Sequence, residues 1–361
     1  MNTTFLDACN SKTTTYTPVW YMRQAGRYLP EYKKLKGSRN ILDIVRIPEL
    51  AAQISLQPVD ILHVDAAVMY ADIMIPLLGI GIDLEIIESI GPVINKPLQS
   101  LADVKKLRAL EPEQDIPYLL QTIAILRKDL KVPLIGFSAA PFTLASYLIE
   151  GKPSRDFIKT KSFMYAQPDA WKLLLEKLSD LIIVYLISQI NAGAQAIQLF
   201  DSWVGCLSVE DYVKFVLPYS KKIFKSLNSS LREGTTKQSQ KRKIAAPSTM
   251  ARNDVPLIHF GTNTAGMLEA FSSVDCDVVS IDWRIPLAKA WKEIGYDKAI
   301  QGNLDPAILM SDFSSIKKRV DELFASLPKR EGYIFNLGHG VLPTTPIENI
   351  KKLTEYVQNK K

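Results

Sequence analysis

Apolar runs of strand length alternate along the chain with longer stretches of helical periodicity. Helix-like segments include Pro48–Gln57, Pro168–Ala192, Ala265–Phe271 and Ser314–Leu327. The apolar runs are nearly continuous, which is typical of parallel strands buried on both faces. They are Pro18–Met22, Asp60–Met69, Pro133–Ala139, Ala196–Ser202, Pro256–Thr262, Val278–Trp283, Ala299–Leu304 and Tyr333–Gly338. Eight strand–helix units predict an α/β fold, a single-domain (β/α)8 TIM barrel over residues 1–361, with a doubly wound sheet as the alternative.

Composition indicates an ordinary globular protein, with 47% apolar and 23% charged residues. The cysteines Cys9, Cys206 and Cys276 are too scattered for a disulfide framework or a CxxC metal cluster, so a reducing compartment fits best. Met1–Thr15 has no apolar core of a signal peptide, and the apolar run Leu181–Ile187 is too short to span a bilayer. We therefore expect a cytoplasmic protein without a membrane partner.

The positive charge is concentrated in one segment. Net charge is +6, and residues 228–252 carry all but one of these charges. This segment is polar and rich in Ser, Thr and Gln, which predicts a basic low-complexity loop on the face of the barrel opposite the catalytic one. No aromatic residues for base stacking are interspersed with the charges, so we expect no nucleic-acid partner.

Candidate chemistry begins where the first predicted strand ends. Arg23 and Arg27 follow that strand, and Gly26 and Pro30 mark a turn around them. If the turn is locally helical, the two guanidinium groups share a face and can bind carboxylates or phosphates through paired donors. The alternative is a solvated arginine pair on a surface loop.

Other polar residues follow later strands at the same end of the predicted barrel. Barrel enzymes collect their functional side chains at the carboxyl ends of the strands. The residues in question are Asp72, Tyr147, Ser202 and His339. Asp72 could instead cap a helix, Tyr147 could be a half-buried aromatic, and Ser202 could be a turn residue. His63 and His259 lie within apolar runs and are predicted to be core or near-core histidines.

Five segments in order resemble one enzyme family. Met22–Tyr32, Gly136–Tyr147, Gln198–Trp203, Gln301–Pro306 and Phe335–Pro343 are similar to motifs of the uroporphyrinogen decarboxylases. Five ordered matches are far more specific than one short motif. The resemblance implies a (β/α)8 barrel and a homodimer.

The resemblance also implies an activity, which is that of a carboxy-lyase of haem biosynthesis. Members remove CO2 from the four acetates of uroporphyrinogen III to give coproporphyrinogen III. No metal or organic cofactor is implied. Asp72 would stabilise a protonated pyrrole ring, and Arg23 would be catalytic with it. The implied substrate-binding set is Arg23, Gln24, Ala25, Gly26, Arg27, Asp72, Tyr147, Ser202 and His339.

Two other activities stay open at this point. A corrinoid-linked methyltransferase of the same superfamily would need a zinc-bound thiol, and Cys206 lies four residues beyond Ser202. Its chemistry does not require the arginine-rich first motif. A porphyrinogen-binding protein without turnover is the other, although Arg23, Asp72 and His339 favour an enzyme.

Overall fold

The computed structural model of the protein describes residues 1–87, 90–237 and 255–360. Its strands are β1 (Ala67–Val68), β2 (Leu84–Ile87), β3 (Gly91–Ile94), β4 (Leu134–Ala139), β5 (Ala196–Asp201), β6 (Leu257–Gly261), β7 (Val278–Ser280), β8 (Ala299–Leu304) and β9 (Tyr333–Leu337). Seven parallel strands form one sheet in the order β1-β4-β5-β6-β7-β8-β9, and a separate antiparallel pair, β2 and β3, lies outside it.

Helices cover the outside of this sheet, and several begin at a proline in the first turn, where its missing N–H is not needed. They are α1 (Thr4–Cys9), α2 (Pro30–Lys36), α3 (Ile41–Val45), α4 (Pro48–Leu62), α5 (Ile75–Gly79), α6 (Leu101–Lys106), α7 (Pro112–Asp115), α8 (Pro117–Asp129), α9 (Pro141–Glu150), α10 (Ile158–Ala166), α11 (Pro168–Ala192), α12 (Val209–Phe215), α13 (Leu217–Lys237), α14 (Leu268–Ser272), α15 (Leu287–Ile294), α16 (Phe313–Ser326) and α17 (Ile347–Gln358). Two 3-10 turns, Val204–Cys206 and Pro306–Met310, follow β5 and β8.

An extended segment at residues 18–20 occupies the eighth position of the barrel. Phe335 donates its backbone N–H to the Pro18 carbonyl at 2.9 Å, and Val19 forms an isolated parallel bridge with Phe335. On its other side, the Val19 carbonyl accepts a 2.7 Å hydrogen bond from the Asp65 backbone N–H. The segment therefore joins the β9 edge of the sheet to the chain that enters β1.

The Asp65 side chain reinforces this junction. Its carboxylate accepts the Val19 backbone N–H at 2.8 Å, the Tyr16 hydroxyl at 2.6 Å and the Gln358 side-chain amide at 2.9 Å. A side-chain bond from Asn2 at 3.2 Å completes the set. Asp65 is buried, and desolvation raises its pKa while these donors oppose the rise. One carboxylate thus ties the amino-terminal segment and the carboxyl-terminal helix to the same edge of the barrel.

Polar side chains also cross the interior of the barrel. Trp20 donates its indole N–H to Gln301 Oε1 at 2.8 Å, and Gln301 Nε2 donates to Gln198 and Ser280 at 2.9 and 2.8 Å. All four residues are fully buried. The indole of Trp20 therefore bonds directly to β8, and Gln301 extends the network to β7 and β5.

The predicted barrel is confirmed, but two of its predicted strands differ. Pro18–Met22 contributes a bridge rather than a regular strand. In the second, Asp60–Met69, the first residues belong to α4, and only Ala67–Val68 is strand. An apolar run on a buried helix face cannot be told from a buried strand by periodicity alone. The β2–β3 pair was not predicted.

The basic segment also differs from its prediction. Helix α13 continues to Lys237, so the first ten residues of the predicted 228–252 loop are helical. The strong amphipathic pattern of α13 carries through Leu227 and Leu231, which are both buried. Residues 238–252 of the predicted loop lie outside the described residues.

The two histidines predicted for the core have different positions. His259 lies on β6, fully buried and stacked on Phe271 with ring centroids 3.9 Å apart. His63 is exposed and ends α4 in a left-handed conformation, so its core assignment was wrong. In the described ranges, no helix combines the length and apolar character that a bilayer crossing requires.

We predict that Asp65→Asn lowers the free energy of unfolding by about 3 kcal/mol, because an amide NH2 would face donors that now bond to a carboxylate oxygen. Equilibrium unfolding in urea measures the change. The control is Asp129→Asn at the end of α8, an exposed aspartate expected to change stability by less than about 0.5 kcal/mol. Equal stability of the two variants would show that Asp65 does not hold the barrel closed.

Candidate active site

The first part of the site is a double turn that follows the residue 18–20 segment. Gln24 N–H bonds to the Tyr21 carbonyl at 3.1 Å, and Leu29 N–H bonds to the Gly26 carbonyl at 3.0 Å. Arg23 has φ +60, a left-handed conformation, so the turn is not helical at this point. Arg23 and Arg27 are both exposed. The turn presents the two guanidinium groups, and because it is not helical at Arg23 the condition for a shared helix face is not met.

Gln24 has its side chain directed into the protein. Its Oε1 accepts the Tyr21 backbone N–H at 3.1 Å, and its Nε2 donates to the Ala66 carbonyl at 3.0 Å. The Tyr28 hydroxyl donates to the Gln24 carbonyl at 2.6 Å. The buried Gln24 amide therefore fixes the turn against the start of β1. Ala25 and Gly26 are half-buried at its tip.

Asp72 lies between β1 and α5. Its Oδ1 accepts the Met74 backbone N–H at 2.9 Å. The capping interaction that the sequence offered as an alternative role for Asp72 is therefore present. Burial raises the pKa of Asp72, while the Met74 N–H and the positive charge of Arg23 favour the ionised form. Oδ2 has no hydrogen-bond partner within the described part of the chain. Capping thus leaves one carboxylate oxygen open.

Tyr147 projects from α9 and is 8% exposed. Its ring packs on Trp203 with centroids 4.0 Å apart, and Phe157 contacts the same indole at 5.0 Å. Burial raises the pKa of Tyr147, the charge of Asp72 raises it further, and the charge of Arg23 opposes both. The three side chains of Tyr147, Asp72 and Arg23 are therefore close enough for their charges to interact, although they come from three different parts of the barrel.

His339 follows β9 between two glycines. Burial and the nearby Arg23 charge lower its pKa to about 4, against an opposing effect of Asp282. The imidazole is therefore neutral near pH 7. A Cβ at Gly340 would lie 2.5 Å from Arg23 Cδ, so the backbone beside His339 passes directly against the Arg23 side chain. Only a glycine allows this approach.

Ser202 follows β5 and is half-buried. Its carbonyl accepts the Thr262 hydroxyl, and the Asn263 side chain donates to the Gly205 carbonyl at 3.0 Å. These bonds connect the loops after β5 and β6. Cys206 in the same loop is half-buried and its carbonyl accepts Lys161 Nζ at 2.5 Å. Within the described ranges, no three His, Cys, Asp or Glu side chains are grouped to hold a metal ion.

Sequence reasoning missed two buried carboxylates at this end of the barrel. Asp201, the last residue of β5, accepts the Thr143 hydroxyl at 3.2 Å, and burial raises its pKa to about 7. Asp282 follows β7 and accepts the Asn263 backbone N–H at 2.7 Å. The signal was present, because each aspartate is the next-to-last residue of a largely apolar predicted strand.

The structure brings most of the predicted residues to one end of the barrel, at the carboxyl ends of its strands. Arg23 acts electrostatically on Asp72, Tyr147 and His339 together. Gln24 lies beneath this group. This end of the barrel, called the mouth below, combines an arginine-bearing turn, a half-buried carboxylate, a neutral imidazole and an aromatic surface.

Comparison with known proteins agrees along the whole chain. A family model described as uroporphyrinogen decarboxylase matches residues 1–360. The uroporphyrinogen decarboxylase of Carboxydothermus hydrogenoformans is 47% identical over 359 residues, covering 99% of this chain and 96% of the relative. That of Bacillus subtilis is 48% identical over 365 residues, covering 100% and 97%.

Solved structures support the fold. A methyltransferase from Methanosarcina mazei superimposes with a TM-score of 0.76 at 19% identity, covering 98% of this chain and 97% of its own. At that identity the likeness concerns the barrel and not the reaction. The relatives at 47% and 48% identity and the family model, in contrast, match nearly the whole chain in sequence. They show that the chain belongs to the uroporphyrinogen decarboxylase family.

Proposed function

We propose that the mouth residues decarboxylate uroporphyrinogen III, with Asp72 as the stabilising carboxylate. The observation that carries the proposal is the position of Asp72. This carboxylate is half-buried, one of its oxygens has no described partner, and Arg23 faces it from the first turn. Uroporphyrinogen brings four pyrrole N–H donors, and an ionised carboxylate is an acceptor-only group that suits them.

The reaction needs an electron sink. Loss of CO2 from an acetate breaks a C–C bond, and the remaining electron pair would form an unstabilised carbanion. Protonation of the adjacent ring carbon makes the pyrrole cationic, so the ring receives that pair. Loss of CO2 leaves an exocyclic methylene group on the ring. Protonation of that methylene carbon and release of the ring proton restore the pyrrole, so in net one proton replaces each CO2 and the acetate becomes a methyl group. After four such steps the product is coproporphyrinogen III.

Asp72 would act on the cationic ring. Its negative charge, held in place by the Met74 N–H before substrate arrives, stabilises the positive charge that develops on the ring. The proton itself is a separate question. A guanidinium is a very weak acid, and His339, with a pKa near 4, lacks its second, acidic proton at neutral pH. We therefore propose a water held by Arg23 as the donor.

The remaining predicted residues would bind the substrate. Arg23 and Arg27 are exposed and suited to carboxylates, because each guanidinium offers a planar pair of donors. The neutral His339, the Tyr147 hydroxyl and the Ser202 hydroxyl would add uncharged hydrogen bonds. A homodimer and a cytoplasmic location belong to the same proposal, and both rest on the family resemblance.

The direct test is anaerobic incubation with uroporphyrinogen III, with products resolved by their number of carboxylates. Stepwise appearance of species with seven, six, five and four carboxylates is expected. A chain that binds the substrate without releasing CO2 would contradict the proposal.

We predict that Asp72→Asn lowers turnover by about 10²–10³-fold, which is typical for loss of one preorganised electrostatic group. The amide keeps the size and the bond to Met74 but not the charge. Single-turnover CO2 release measures the effect. Asp129→Asn, on the opposite face of the barrel, is the matched control and should retain full turnover. Near-normal turnover of Asp72→Asn with an unchanged thermal transition would exclude charge stabilisation.

We predict that Arg27→Lys raises KM more than it lowers kcat, because the charge remains while the paired donors are lost. Arg23→Ala should be worse, since its side chain also packs against Gly340 and acts on Asp72. Steady-state constants with uroporphyrinogen III decide the matter. Arg319→Ala, an exposed position on α16, controls for loss of charge. An unchanged KM in both test variants would place the arginines in the chemical step.

We predict that decarboxylation continues at the full rate after exhaustive chelation, because the electron sink belongs to the substrate. The assay is CO2 release before and after treatment with chelator, with added Zn²⁺ as a restoration control. Loss of turnover that zinc restores would require a different mechanism.

A further inference from the structure

A third arginine lies at the mouth, on the loop that follows β7. Arg284 comes four residues after the end of that strand, beside the buried Asp282. Its side chain is 45% exposed. None of the five motif segments includes this residue, and the proposed mechanism does not use it.

The guanidinium of Arg284 is held rigidly. One of its nitrogens, Nη1, pairs with Asp282 Oδ2, and the Arg284 backbone N–H donates to Asp282 Oδ1 at 3.1 Å. Its Cζ lies 4.2 Å from the centre of the Trp283 ring. Asp282 is anchored in turn by the Asn263 backbone N–H at 2.7 Å. An ion pair on one edge and an aromatic ring on one face fix the plane of the group.

The opposite edge of this guanidinium remains available. Its other nitrogens, Nε and Nη2, make no hydrogen bond in the described part of the chain. A fixed planar group with one edge paired and another open can receive a second carboxylate without further ordering, which lowers the entropic cost of binding.

The backbone around His339 places Arg284 relative to the rest of the site. A Cβ at Gly338 would lie 2.5 Å from the Trp283 backbone nitrogen, so the Trp283 loop packs directly against the chain before His339. The chain after His339 packs against Arg23 at Gly340. Arg284 and Arg23 therefore flank His339 from two sides, and the charges of both act on its ring.

We propose that Arg284 is a further substrate-binding residue, which receives a carboxylate of the porphyrinogen on the side of His339 opposite Arg23. The inference rests on the proposed function, because the ligand is its polycarboxylate substrate. Eight carboxylates around one macrocycle point in several directions, and the single turn bearing Arg23 and Arg27 can meet only those on its own side. Arg284 supplies the cation for another side of the ring.

Arg284→Gln and Arg284→Lys test the proposal. Both are assayed with uroporphyrinogen III under anaerobic conditions. We expect Arg284→Gln to raise KM about tenfold, the loss expected for one charge-assisted interaction, with kcat within about threefold of the original. Arg284→Lys keeps the charge and loses the planar pair of donors, so its KM should lie between those of the unmodified chain and Arg284→Gln.

The matched control is Arg108→Gln. Arg108 is 49% exposed and also pairs with an aspartate, Asp115, at 2.7 Å. Its charge does not appear among those that shift the pKa of Asp72, Tyr147 or His339. KM should therefore stay unchanged in this variant, so a change confined to Arg284 reports on substrate contact and not on the loss of an ion pair.

Several outcomes would overturn the inference. An unchanged KM in folded Arg284→Gln, or a loss of kcat with KM unchanged, would exclude a binding role. If Arg284→Gln does not fold, Arg284→Lys decides, and an unchanged KM there is equally contrary. Absence of decarboxylation by the unmodified chain would instead refute the proposed function, so the two failures are distinguishable.

Discussion

The pairing of residues 18–20 with both β9 and Asp65 is the constraint on which the rest of the structure depends. A parallel sheet with two open edges leaves backbone donors and acceptors without partners, and closing it removes both edges. Here one short segment does so with few backbone bonds, supplemented by the Asp65 carboxylate and by Trp20 within the barrel. The arginine-bearing turn begins immediately after that segment. Its position is therefore set by closure of the barrel.

The positive charge of Arg23 has opposite effects on the ionisation of its two neighbours, Asp72 and His339. It favours the ionised form of Asp72 against the cost of burial, and it disfavours the protonated form of His339. One cation thus favours the negative form of a carboxylate and the neutral form of an imidazole in the same pocket. In the proposed mechanism this division serves Asp72, the carboxylate assigned to the pyrrole nitrogens. In the loop after β7, Asp282 likewise pairs with a cation and holds Arg284 in place.

The buried strands and long helices were predictable because their apolar patterns are compatible with few other structures. Helix α11 begins and ends where its proline and the glycine after Ala192 indicate. Asp60–Leu62 and the basic residues up to Lys237 were misassigned, since tertiary packing decided their structure. Within the site, the first motif located Arg23, and the position of Asp72 after the second predicted strand pointed to that residue. The motifs could not show that Gln24 turns inward, because its bond to the Ala66 carbonyl joins segments distant in sequence. They also gave no sign that Arg284 stacks on Trp283, because Arg284 lies in none of the motifs.

Closure by an amino-terminal segment has a consequence for synthesis. The Met22 backbone N–H bonds to the Asn336 side chain, 314 residues along the chain. The ribosome must therefore release almost the whole polypeptide before residues 18–22 can pair with β9, although their partner Asp65 is made early. The entropic cost of closing a loop grows only with the logarithm of its length. The late pairing therefore affects the order of folding events far more than the stability of the folded protein. Arg23 reaches its working position at the end of folding, and a nascent chain cut short before β9 would hold most of the barrel but no assembled pocket.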